Sequence, residues 1–212
     1  MRLDHISYAA GPEGLGACVQ RLGAALGAGF IDGGLHPRFG TRNFLLPLAD
    51  GTYLEVVAAL DHPAVDKAPF GRAVRMRSEA GGGWLSWAVG VSELEPIEER
   101  LGRKAADGHR VRPDGYDLTW RQIGINDSAA DPQLPWFIHW NSPKSEHPAA
   151  GGSVHIARMD IAGDETRVTT FLGGAAATAL TSMNVSWLPV TERDSGIIAV
   201  SFDTSHGEVT IT

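Results

Sequence analysis

Polar and apolar positions along the chain change period in a recurring order. RLDHISYAA (2–10) reads as a strand, and LGACVQRLGAAL then places Leu15, Cys18, Val19, Leu22 and Leu26 at helical spacing. AGFIDGGLHP, TRNFLLPL and TYLEVVAAL follow as three strands, the last two divided by the turn Ala49-Asp50-Gly51. The unit predicted is β-α-β-β-β.

The order returns after the glycine-rich break AGGG (80–83). WLSWAVGV predicts a strand, and LEPIEERLGRKAADG a helix with Pro96 in its first turn, Leu94, Ile97 and Leu101 on one face, and Gly108 as its stop. Strands are expected around HRVRP, LTWRQIGI and PWFIHWN. A third, fainter copy runs from SVHIARMDIAG through a short helix DETRVTTFLGG, capped by Asp164, to the strands SMNVSWLPV, GIIAVSFDT and EVTIT. The expected modules are residues 1–62, 81–140 and 153–212, with linkers at 63–80 and 141–152. The basic run GRAVRMR (71–77) in the first linker reads as a solvated loop. Aligning LDHI with LSWA sets Trp87 opposite His5, and aligning YLEV with FIHW sets His139 opposite Glu55. The resulting first-to-last-strand separations, 50 and 52 residues, nearly agree.

Glu55 stands out, because it sits inside the otherwise apolar strand TYLEVVAAL. An ionised carboxylate does not persist unpaired in an apolar interior, so it faces water, has a basic partner or binds a metal. Strand alternation puts Tyr53, Glu55 and Val57 on one face, and Phe137 with His139 on one face of the later strand.

LDHI (3–6), GTRNFLLPLADGTYLEVV (40–57) and PWFIHW (135–140) followed by HP (147–148) resemble the glyoxalase-like domain proteins of the vicinal oxygen chelate superfamily. That resemblance implies an α+β fold in which two βαβββ modules pair into a cupped mixed sheet with helices outside, here with a third, C-terminal module added. It also implies metal ligands on the first and last strands of each module, which carries over to His5, Glu55, Trp87 and His139. Three of these are good ligands, and His5, Glu55 and His139 form the expected site for Fe, Mn, Ni or Zn. Each has a plain alternative. His5 reads also as a satisfied core histidine, Glu55 as a partner of Arg42, and His139 as a donor to a backbone carbonyl.

The implied activity is that of a lyase or isomerase in which the divalent ion acts as a Lewis acid on a small oxygenated metabolite. A metal-free protein that binds an aromatic or drug-like compound is the competing reading, and an extradiol-type dioxygenase a minor one. Trp87 departs from a four-ligand site and reads as a wall of the cup. His36, Arg42 and Asn43 are expected near its rim, with Arg42 able to clamp a carboxylate or phosphate, and Tyr53, Trp120 and Trp136 would make the pocket aromatic. His147 is given no role.

Composition narrows the partners. The net charge of −7 argues against nucleic acid, and no apolar run is long enough to span a bilayer, so a cytoplasmic protein is expected. The single cysteine, Cys18, falls on the apolar stripe of the first helix and reads as a small core residue. An odd number of modules makes a homodimer plausible. No nucleophile elbow, P-loop, dinucleotide fingerprint or H-E-x-x-H motif occurs in the sequence.

Overall fold

The structure, a computed structural model, describes residues 1–149, 151–174, 179, 183–191 and 195–212. Ala150 in the expected second linker and Ser182 at the head of an expected strand lie outside the described residues.

The first module comprises β1 (Arg2–Ala9), α1 (Leu15–Leu26), β2 (Ile31–His36), β3 (Thr41–Pro47) and β4 (Tyr53–Ala59). Helix α1 buries Cys18, Leu22 and Leu26, and stops at Gly27, whose φ of 63° is the left-handed conformation that glycine adopts without strain. The second module comprises β5 (Gly83–Gly90), α4 (Glu95–Leu101), β6 (Ala106–Val111), β7 (Asp117–Ile123) and β8 (Trp136–Trp140). The helix here ends earlier than expected. Gly102 at φ 65° closes it, which frees Ala106–Val111, and with it Gly108, to form β6.

Residues 63–80 are not a loop. They fold as α2 (Ala64–Lys67) and α3 (Pro69–Glu79). Pro69 opens α3, and Phe70, Gly71 and Val74 make one buried face beneath the arginines of the basic run. A side chain at Gly71 would overlap the Phe39 carbonyl and the Val65 backbone, so the glycine permits close approach. A further short helix, α5 (Ile125–Ala130), precedes β8.

The eight strands close in the order β1-β4-β3-β2-β6-β7-β8-β5. Antiparallel pairing of β1 with β5 and contact of Leu35 with Val111 join the two modules. The parallel pairs set equivalent positions: His5 lies opposite Tyr53 on β4, and Ala88 opposite Trp136 on β8. One uniform shift therefore relates the modules, and it matches His5 with Ala88 and Glu55 with Ile138 rather than with Trp87 and His139. In each case the distance along the chain is 50 residues.

The remaining strands, β9 (His155–Ala162), β10 (Val185–Leu188), β11 (Gly196–Thr204) and β12 (Gly207–Ile211), with α6 (Glu165–Phe171), repeat the βαβββ sequence order. The Asp164 side chain caps α6, accepting from the backbone N–H groups of Thr166 and Arg167. The sheet order is β10-β9-β11-β12, so the first strand is internal and does not pair with the last as β1 does with β4. This sheet packs on the outer wall of β5. Trp84 stacks on Phe202 with ring centroids 6.4 Å apart, and its indole N–H donates to the Ile211 carbonyl at 3.0 Å. Each large aromatic buried here contributes about 2–3 kcal/mol.

Candidate functional site

Alternation along the strands gives the barrel an apolar outer face, with Leu3, Ile6, Leu54, Val56 and Phe137 in the main core, and a partly polar interior. The interior cavity is lined by His5 of β1, His36 of β2, Asn43 of β3, Tyr53 and Glu55 of β4, Arg110 of β6, Trp120 and Gln122 of β7, and Trp136, Ile138 and Trp140 of β8. Phe39, Phe70 and Ile125 also line it. Its free volume is about 30 Å³, room for a few water molecules.

Glu55 is only 5% exposed, and both its oxygens are held: Ser7 Oγ donates to Oε2 and Asn43 Nδ2 to Oε1, each at 2.7 Å. Burial pushes its pKa up, but His36, His5 and these two donors outweigh that and leave it below the usual value. Glu55 is thus a fixed negative charge. It faces the interior as expected, and its partners are Ser7 and Asn43, not Arg42.

His5 is 2% exposed and bonded through Nδ1 to Asp4 Oδ1 at 2.8 Å. Its ring stacks on Tyr53 at 4.5 Å and meets the edge of Trp136 at 5.1 Å. Asp4 stands at a bulge, where β1 carries one more residue than β5 between Leu3 and His5. Asp4 is fully buried, and its Oδ2 lies 3.1 Å from both His147 Nε2 and Trp140 Nε1. Burial opposes its ionisation, but the hydrogen bonds from His147 and His5 prevail and hold the carboxyl well below the usual carboxylate range. His36 bonds Thr41 through Nδ1 at 2.9 Å, and burial lowers its pKa to about 4, so it is neutral at pH 7. Burial also drives the Tyr53 hydroxyl well above its ordinary pKa, and it stays protonated.

Five of the residues expected in the pocket, His36, Asn43, Tyr53, Trp120 and Trp136, line the cavity together with His5 and Glu55. Three expectations need correction. His139 lies on the outer face of β8, opposite Arg121, and its Nδ1 lies 3.2 Å from the Val91 carbonyl. Arg121 reaches Glu98 on α4 at 2.6 Å, which marks that face as the outside. Trp87 is fully buried in the core outside the barrel, with its indole N–H on the Gln133 carbonyl at 3.1 Å, and it does not line the interior cavity. Arg42 points outward, paired with Asp32 at 2.5 Å over the Phe44 ring. Asp4, Arg110, Gln122 and His147 were missed. The adjacency of Asp4 to His5 and the HP pair at 147–148 were the signals in the sequence.

These positions decide how well a metal fits. Of the four equivalent places, only His5 and Glu55 carry donors, while Ala88 and Ile138 have none. Glu55 already accepts two hydrogen bonds, and the Arg110 guanidinium shares the cavity. Among the described residues no group of three His, Cys, Asp or Glu side chains is arranged to hold a metal ion. The residues present do not fit the expected three-ligand site.

No curated protein matches the chain. Among solved structures, a hypothetical protein from Staphylococcus aureus superposes with a TM-score of 0.56 at 14% identity, covering 99% of this chain and 84% of that one. Methylmalonyl-CoA epimerase from Mycobacterium tuberculosis gives a TM-score of 0.45 at 17% identity, over 68% of this chain and 90% of that one. A Streptomyces coelicolor methylmalonyl-CoA epimerase variant in complex with 2-nitronate-propionyl-CoA gives 0.42 at 18% identity, over 66% and 96%. The family described as glyoxalase-like domain matches residues 3–176. The chain belongs to the glyoxalase-like domain family.

Proposed function

We propose that this chain is an acid–base enzyme of the isomerase or lyase type, acting on a small oxygenated metabolite through proton transfer at His5. The observation that carries this reading is the 2.8 Å hydrogen bond that Asp4 Oδ1 accepts from His5 Nδ1 beside the cavity. A carboxylate on Nδ1 fixes the tautomer, leaves Nε2 as the basic atom and stabilises the imidazolium that forms when it takes a proton. Tyr53 stacked on the ring holds its plane.

In the step proposed, Nε2 removes a proton from carbon next to a carbonyl. The C–H electron pair moves into the carbonyl and gives an enolate. Asp4 and ionised Glu55 together offset the positive charge gained by His5. Return of the proton to another face or atom completes an isomerisation, and loss of a leaving group from the enolate completes an elimination. Nothing in this scheme is routed through a metal.

Solvent-deuterium incorporation into small 2-oxo acids and β-dicarbonyl compounds, followed by proton NMR, tests it. Incorporation is expected with the natural chain and lost in a folded His5→Gln variant. Equal incorporation in the two would refute the role of His5.

A second reading, a metal-free binding protein, is favoured by the aromatic wall of Trp120, Trp136, Trp140, Phe39 and Phe70. It requires saturable binding of an aromatic compound without deuterium incorporation into any of the test compounds.

A further inference from the structure

Several buried hydrogen-bond donors lie on residues that line the cavity and are weakly used or unused among the described residues. Arg110 is 2% exposed, and among the described residues the one hydrogen bond of its side chain runs from Nη1 to Asn43 Oδ1, long at 3.4 Å. A guanidinium carries five N–H groups in a planar fork, so most of them are unspent. Gln122 is also buried. Its Oε1 accepts from the Trp120 indole N–H at 2.6 Å, which leaves its amide N–H groups as the free end. Trp136 is 4% exposed, and its indole N–H is buried without a partner among the described residues. Buried donors are nearly always satisfied in folded proteins, and those left open cluster where a ligand or water completes them.

The fold makes room for this arrangement. β2 bulges between Asp32 and Gly34, and the intervening Gly33 lies against the site. A Cβ there would run into Asn43 Oδ1 and Arg110 Nη1. Asn43 stands between the charges: its amide N–H donates to Glu55, and its Oδ1 accepts from Arg110. The guanidinium therefore makes no direct bond to the carboxylate. Burial works against its charge and lowers its pKa, yet arginine remains protonated at pH 7. Glu55 and Asp32 favour the charge through space, but among the described residues neither bonds the fork, and an acceptor-rich anion supplies the lone pairs that its remaining N–H groups lack.

We infer that the cavity takes a small carboxylate, its oxygens received by the fork of Arg110 with Gln122 and Trp136 as further donors. This deepens the proposed function by naming the charge of its substrate: a carboxylic acid that also bears an acidic C–H. Arg110 fixes the carboxylate end, and the acidic carbon is presented to His5.

Binding tests this without turnover. Trp120, Trp136 and Trp140 line the cavity, so tryptophan fluorescence reports occupancy. The probes are 2-oxobutanoate and its uncharged methyl ester. The expected result is a saturable change with the acid, at least tenfold weaker binding of the ester, and at least tenfold weaker binding of the acid by Arg110→Met. Arg110→Lys keeps the charge but not the fork, and is expected to bind with intermediate affinity. Gln122→Leu, which keeps the arginine, is expected to weaken the acid several-fold. Saturable binding of the ester as tight as that of the acid would overturn the inference. So would unchanged binding by folded Arg110→Met and Gln122→Leu, or no saturable response to the acid. If the acid binds as expected but deuterium incorporation does not depend on His5, the proposed function fails and the anion site stands.

Discussion

Asp4 and His5 are neighbours in sequence, yet Asp4 Oδ1 lies 2.8 Å from Nδ1 of His5. Successive side chains of a regular strand point to opposite faces. The bulge between Leu3 and His5 breaks that alternation and lets one short peptide supply a proton-transfer group with its orienting carboxylate.

Asp4→Asn is expected to slow deuterium incorporation by roughly a hundredfold or more, since the imidazolium loses its stabilising charge. The same change unbalances contacts to His5, His147 and Trp140, and a loss of about 3 kcal/mol is expected. Denaturant unfolding measures the second effect and NMR the first. An unchanged incorporation rate in the folded variant would remove Asp4 from the mechanism.

His36 makes stability depend on pH. Its ordinary pKa of 6.5 falls to about 4 in the folded chain, mainly through burial. Between those values the unfolded chain binds the extra proton and the folded chain does not, so stability falls as pH drops. Its contribution is complete above pH 6.5 and lost by about pH 4, and amounts to about 3 kcal/mol. Asp4 and Glu55, whose folded pKa values are depressed, add further losses once the pH falls into the carboxylate range. Urea unfolding of His36→Gln from pH 7 to 5 should show a flatter slope than the natural chain.

Gly33→Ala places a methyl group where Asn43 Oδ1 and Arg110 Nη1 sit. Overpacking of this kind costs about 1–3 kcal/mol. Binding of 2-oxobutanoate is expected to fall with it, whereas the exposed Gly16→Ala, with open space around the new methyl, should leave binding unaltered.

His139→Ala separates the expected ligand set from the observed one. Its ring bonds the Val91 carbonyl outside the barrel, so the substitution is expected to cost about 1 kcal/mol and to leave proton transfer unchanged. Elemental analysis should find no stoichiometric metal that depends on His139. A bound ion lost in both His139→Ala and Glu55→Gln would restore the three-ligand site.

The modules, the cup and the inward-facing Glu55 were legible because strand alternation and helical spacing are written directly in residue type. The side-chain face of β8 was not. Matching YLEV to FIHW shifts the register by one residue, and a slip of one turns every side chain to the other face. The uneven separations of 50 and 52 residues carried the clue, since the structure makes both 50 by pairing His5 with Ala88 in the repeat. Arg110 was hidden for a different reason: in HRVRP it lies between His109 and the exposed Val111, and only the closed barrel makes the arginine interior. Helix α3 was masked by its arginines, with Phe70 and Val74 too few to announce a buried face.

Phe70 and Ile125 border the inner cavity and also two outer clefts of about 550 and 320 Å³. They come from α3 and α5, which pack together, and Gly71 holds α3 tight against the β2–β3 turn. A ligand that fills the cavity therefore touches both helices, and its binding is expected to slow backbone hydrogen exchange in α3 and α5 together.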